Sequence, residues 1–121
     1  MRILVYGTQK FEDYATFMRG LVVAIEDNIS PADPRIEVYT AGPHKINNFT
    51  AEFMNRTEGF FKQKKIKTRF YTIKRADALE KFLEYDFDHV ISFNSKSDGR
   101  FFDTLMDKAE NNKVKSSYYK Y

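Results

Sequence analysis

Short apolar runs alternate with stretches of helical periodicity along the whole of this 121-residue chain, and no other feature constrains its fold as much. Ile3-Leu4-Val5-Tyr6 is a continuous apolar run stopped by Gly7, the pattern of a strand buried on both faces. Behind it Tyr14, Phe17, Met18, Leu21, Val22 and Ile25 recur at helical spacing and form an apolar stripe. Asp13 stands where it can cap that helix, and the prolines of the segment from Asn28 to Pro34 end it. Ile36 to Thr40 reads as a second strand, stopping at Ala41-Gly42-Pro43. Asn47 or Asn48 is placed to cap a second helix with Phe49, Phe53 and Phe60 on one side. Lys67 to Ile73 reads as a third strand, and Ala76, Leu79, Phe82 and Leu83 as a short third helix. His89 to Phe93 is a fourth strand. Phe102, Leu105, Met106 and Ala109 outline a fourth helix, and Val114 to Tyr119 a last strand.

A parallel crossover must pass over a face of the sheet. The strand–helix order therefore predicts an α/β fold, a Rossmann-like three-layer α/β/α sandwich with a mainly parallel sheet of about five strands. Residues 1–121 read as one domain, without repeat, low-complexity tract or linker. A domain of this size buries roughly two-thirds of its unfolded surface and folds without disulfides or metal. Cysteine is absent, which excludes disulfide frameworks, thiolate zinc sites and cysteine nucleophiles. No apolar run approaches the roughly 20 residues of a membrane span, and Ile3 to Tyr6 is too short for a signal peptide. These features predict a cytoplasmic protein with no membrane partner. The heavy use of Phe (12) and Tyr (8), with Lys and Asn, matches an AT-rich genome such as a bacteriophage's, which would place it in host cytoplasm.

In open parallel sheets, ligands bind outside the carboxyl ends of the strands, where loop N–H groups and helix N-termini gather. Three loops are predicted on that rim. The first is Gly7-Thr8-Gln9-Lys10 and the second runs from Ala41 through Gly42, His44 and Lys45 to Asn47. The third is Asn94-Ser95-Lys96-Ser97-Asp98-Gly99-Arg100. Each combines glycine, small polar residues and a cation. Glycine permits close backbone approach, and hydroxyls and amides bind ribose or phosphate. The formal charge of +3 favours a phosphate-bearing ligand without identifying one. Pro43 and Ile46 are the bulky residues that could fill a pocket between Gly7, Gly42 and Asn94.

Several signatures are missing: G-x-G-x-x-G after the first strand, the P-loop G-x-x-x-x-G-K-[ST], and the G-x-S-x-G elbow. His44 lies in a rim loop and is a candidate ligand contact; His89 opens a strand and reads as structural. The two do not make a metal site. Lys62 to Arg69 reads as a solvated helix end, favourable to the helix dipole, in preference to a nucleic-acid site. Asp86, Asp88, Asp98 and Asp103 form no recognisable acid/base pair by spacing.

In the order of its loops the chain resembles the YspA-like branch of the SLOG superfamily, named for the Smf/DprA and Lonely Guy proteins. Members open with a strand leading into a glycine, a small hydroxyl residue, Arg, Asp and Phe; here the stretch runs Gly7-Thr8-Gln9-Lys10-Phe11. Their second strand leads into a Gly-Gly-x-x-Gly-x-Asp loop; here it is Ala41-Gly42-Pro43-His44-Lys45-Ile46-Asn47. Their later strand ends in a Ser- and Gly-rich loop; here it is Asn94 to Gly99. The resemblance spans nearly the whole chain and implies a site for nucleotides or nucleotide-derived molecules, and a homodimer. Gln9, Ala41, Lys45 and Asn47 stand where the family carries Arg, Gly, Gly and Asp, so no catalytic residue is carried over.

Three functions follow as expectations. The first is non-catalytic binding or sensing of a nucleotide-derived ligand by Gly7, Thr8, Gln9, Gly42, His44, Lys45, Asn47, Asn94, Ser95, Lys96, Ser97 and Gly99, with no cofactor and no metal. The second is a hydrolase of N-glycosidic or phosphate bonds, for which Asp98, Glu12 and His44 are the nearby acid/base candidates. The third is a small viral protein that engages a host protein from a degenerate scaffold.

Overall fold

The computed structural model describes residues 1–8, 10–94 and 100–120. Five strands run along the chain: β1 (Arg2–Gly7), β2 (Arg35–Thr40), β3 (Lys67–Thr72), β4 (His89–Asn94) and β5 (Lys115–Lys120). They form one sheet in the order β3-β2-β1-β4-β5, and every pairing is parallel. Helices α1 (Tyr14–Asn28) and α2 (His44–Gln63) cover one face. Helices α3 (Arg75–Glu80), α4 (Phe82–Tyr85) and α5 (Arg100–Asn111) lie on the other. This is the Rossmann-like three-layer sandwich that the alternation of elements predicts.

The central strand explains why both layers are needed. Successive side chains of a strand point to opposite faces. Ile3 and Val5 pack with Phe17, Leu21, Ile46 and Phe53 of α1 and α2. Leu4 and Tyr6 pack with Ala78, Phe82, Leu105 and Ala109 on the far side. All four β1 side chains are fully buried.

The helices depart from the sequence reading in ways that have local causes. Asp13 caps α1 as expected, its carboxylate accepting the Thr16 N–H at 3.1 Å. The buried stripe, however, is Phe17, Gly20, Leu21, Ala24 and Ile25, while Met18 and Val22 are more than one-third exposed. Small residues set this rotation. A Cβ on Gly20 would lie 3.1 Å from the rings of Phe93 and Tyr119, so its absence lets α1 settle onto the sheet. Helix α2 starts at His44 with Pro43 at the N-cap and no side-chain cap, so Asn47 and Asn48 lie about one turn inside it. Its buried residues are Ile46, Thr50, Phe53 and Phe61, and Phe60 turns outward at 54% exposure. The expected third helix is two short ones meeting at Lys81, with Ala78 and Phe82 inward and Leu83 on the surface. The side chain of Phe102 lies outside the described residues. The basic stretch from Lys62 to Arg69 joins the end of α2 to β3: Lys65 turns the chain at φ 59°, and Lys67 opens β3, where the third strand is expected to begin. Among the described residues no helix is long and apolar enough to cross a membrane.

Candidate functional site

Strands β2 and β3 lie on one side of β1, and β4 and β5 on the other. The order therefore reverses between β1 and β4, and the crevice at their carboxyl ends is where such sheets hold ligands. The first and second predicted loops meet there, joined by the hydrogen bond from the Gly7 N–H to the Gly42 carbonyl at 3.2 Å.

The first loop is committed to the protein's own structure. The Thr8 N–H donates to the Phe93 carbonyl at 2.9 Å, and the Phe11 N–H donates to the Thr8 carbonyl at 3.2 Å. Thr8 is 2% exposed. A Cβ on Gly7 would stand 2.8 Å from Ile46 Cδ1 and 2.9 Å from the Phe93 carbonyl oxygen. Gly7 is thus required for close approach, and what approaches it is the Ile46 side chain. Ile46 fills the space directly over β1 that a ligand would otherwise enter.

The second loop is open on its outer side. Gly42 adopts φ 81°, a left-handed conformation that glycine accommodates without strain, and the Gly42–Pro43 bond is cis. The Asn47 N–H bonds back to the Pro43 carbonyl at 3.1 Å. Among the described residues the N–H groups of His44, Lys45 and Ile46 have no acceptor, leaving the N-terminus of α2 uncapped. A shallow pocket of about 330 Å³ lies beside it, lined by Pro43, His44, Lys45 and Asn48. Lys45 reaches across to Glu12, with Nζ and Oε1 2.7 Å apart. The hydrogen bond and charge of Lys45 hold the Glu12 carboxyl below its ordinary range, so it stays ionised and is unsuited to donating a proton near neutral pH. Asn47, predicted as a cap and ligand contact, has its Oδ1 buried without a partner among the described residues.

Of the third loop, Ser95, Lys96, Ser97, Asp98 and Gly99 lie outside the described residues, as does Gln9 of the first. Asn94 ends β4, and its side chain also lies outside them.

Arg75 is a rim residue that the sequence reading passed over. It opens α3 just beyond β3, and a Cβ on Gly42 would lie 3.9 Å from its Nε. The available signal was position: Lys74-Arg75 directly follows a strand, as the other rim loops do.

The histidines divide as predicted by position. His44 is exposed on the rim. His89 is 4% exposed and joins α1 to β5. Asn28 Nδ2, which also donates to the Ala24 carbonyl, lies 2.9 Å from His89 Nδ1, and Ser117 Oγ lies 2.7 Å from Nε2. This arrangement assigns Nδ1 as acceptor and Nε2–H as donor. Burial lowers the pKa of the ring; Asp27 opposes that effect and Lys115 adds to it. Among the described residues no three His, Asp or Glu side chains gather as a metal site would require.

Fold and rim together define an α/β protein whose parallel sheet changes direction at one crevice, with the N-terminus of α2 beside it. Compared with protein-family models, with curated proteins and with solved structures, the chain matches none.

Proposed function

We propose that the chain binds a nucleotide or nucleotide-derived ligand at the carboxyl rim of its sheet, without catalysis. The observation that carries this reading is the uncapped N-terminus of α2 opening onto a rim pocket with His44 and Lys45. Unsatisfied N–H groups and the helix dipole favour a phosphate there. Arg75, near Gly42, adds a guanidinium on the β3 side. Ile46 over Gly7 confines the ligand to the outer rim and leaves no room for a pyrophosphate lying across β1. The ionised, lysine-paired Glu12 supports binding over acid catalysis.

Isothermal calorimetry against mononucleotides, cyclic nucleotides and ADP-ribose derivatives tests the reading. We expect one of them to bind, and Arg75→Ala or Lys45→Ala to weaken it about tenfold, the value of one charge-assisted hydrogen bond. No heat from any of them at millimolar concentration would overturn it. A second reading, an interaction protein on this scaffold, draws on the same Ile46: a crevice closed by an apolar side chain is one that has no small molecule to hold.

A further inference from the structure

Charge is distributed unevenly along this chain, and the fold turns that unevenness into a stripe. Between Glu58 and Asp77 there are seven cations and no carboxylate. The rest of the chain carries 13 cations against 17 carboxylates, so this short segment alone makes the protein basic. The segment runs from the last turn of α2 through edge strand β3 to the start of α3. Lys62, Lys64, Lys65, Lys67, Arg69 and Lys74 are all exposed. Among the described residues none of these six has a carboxylate within 4.0 Å; elsewhere Arg2, Arg35, Lys45 and Arg56 have one, while Lys10, Arg19, Lys81, Lys108, Lys113 and Lys115 do not.

Two bland causes explain only part of this. Cations complement the dipole at the end of α2, which accounts for Lys62. Lysine on an edge strand deters strand addition. The opposite edge manages with mixed charge, since Asp107 and Glu110 accompany Lys108, Lys113 and Lys115 there. Aromatic rings border the basic edge as well. Phe60 is 54% exposed, with Lys64 Nζ 4.5 Å from its ring centre. Half-buried Tyr71 stacks on Tyr39 at 4.9 Å, and its hydroxyl raises the pKa of the nearby Arg69 guanidinium.

We propose that the β3 edge binds single-stranded nucleic acid, the phosphates meeting cations that hold no carboxylate and bases stacking on Phe60 and Tyr71. Lys67 and Arg69 lie on one face of the strand, about 7 Å apart, close to the spacing of phosphates along an extended single strand. The six residues of β3 run for about 20 Å, enough for several nucleotides. Duplex recognition places a helix or β-ribbon in a groove, and the flat edge of a parallel sheet offers neither. The sequence reading began the third strand at Lys67 but treated the basic stretch as a helix end, because the edge position of that strand appears only in the fold.

The test is fluorescence anisotropy with labelled oligothymidylate and oligouridylate of roughly 15 nucleotides. About five phosphate contacts predict an affinity that falls about hundredfold between about 50 and about 200 mM salt. The double variant Lys67→Glu/Arg69→Glu should weaken binding at least tenfold. Lys113→Glu/Lys115→Glu, the same charge change at the opposite edge, should weaken it less than threefold. Lys62→Gln/Lys64→Gln, with circular dichroism to confirm the fold, repeats the test without touching the strand. Failure to bind, equal loss at both edges, or equal affinity for a duplex of the same length would overturn the proposal. So would capture of polyglutamate with no binding of oligonucleotide.

Discussion

Asn28, His89 and Ser117 form a closed hydrogen-bond chain between the end of α1 and β5, and it fixes the ring in its neutral form. Protonation would set an N–H at Nδ1 against the amide donor of Asn28. Because the pKa is lowered on folding, the unfolded chain binds the proton more tightly. Stability from this group is therefore complete above the ordinary value near 6.5 and is lost as pH falls below it. Denaturant midpoints from pH 7.5 to pH 5 should decline, and His89→Gln should flatten that slope. The paired carboxylates of Glu12, Asp13 and Asp33, held low in the fold, lose their contribution only in more acidic solution. At Gly7, alanine would collide with Ile46 and with the Phe93 carbonyl. Gly7→Ala should destabilise by about 1–3 kcal/mol, the usual cost of overpacking. Ile46→Val should recover only part of it, since the backbone contact remains. Position made the role of His89 legible in the sequence. For Gly7 the sequence showed that a glycine on the rim permits close approach and that Ile46 could fill the pocket, but the contact itself joins residues far apart in the chain.

At the level of elements, the strands were the most legible, because a buried parallel strand is a short apolar run bounded by turn residues. Their order was not, since β3-β2-β1-β4-β5 depends on which crossovers pass on which face. Helix faces were misread where small residues carry the packing. Hydrophobic spacing pointed to Met18 and Val22, but Gly20 and Ala24 are what let α1 approach the sheet. The consequence is measurable. Leu21→Ala should cost about 2–5 kcal/mol in urea denaturation, while Met18→Lys and Val22→Lys should stay within about 0.5 kcal/mol. A large loss at Met18 or Val22 would mean that this face is buried in solution. The cap of α1 was legible from Asp13 alone, and Asp13→Ala should cost about 1 kcal/mol. The start of α2 was not, because Pro43 occupies the cap position and the asparagines expected to serve it fall one turn inside. That same missing side-chain cap leaves the rim's N–H groups open.

Over the whole molecule, the fold sorts charges that the sequence merely contains. The formal +3 describes neither half of the protein: one edge is strongly basic and the remainder is acidic. Among the described residues the lysines at 62, 64, 65 and 67 hold no carboxylate, so no ion pair ties them to the fold. Replacing all four by glutamine takes the formal charge from +3 to −1. Two small effects then oppose each other: relief of repulsion among like charges, and loss of Lys62 from the end of the α2 dipole. The melting temperature at low salt should therefore stay within about 4 °C of the parent, the shift that about 1 kcal/mol produces in a domain of this size. The variant should also migrate as an anion at neutral pH. A drop well beyond that range would show that the lysines stabilise the fold itself. An unchanged melting temperature would show that the fold does not depend on these lysines, as is required if the β3 edge is to give them to the phosphates of a single strand.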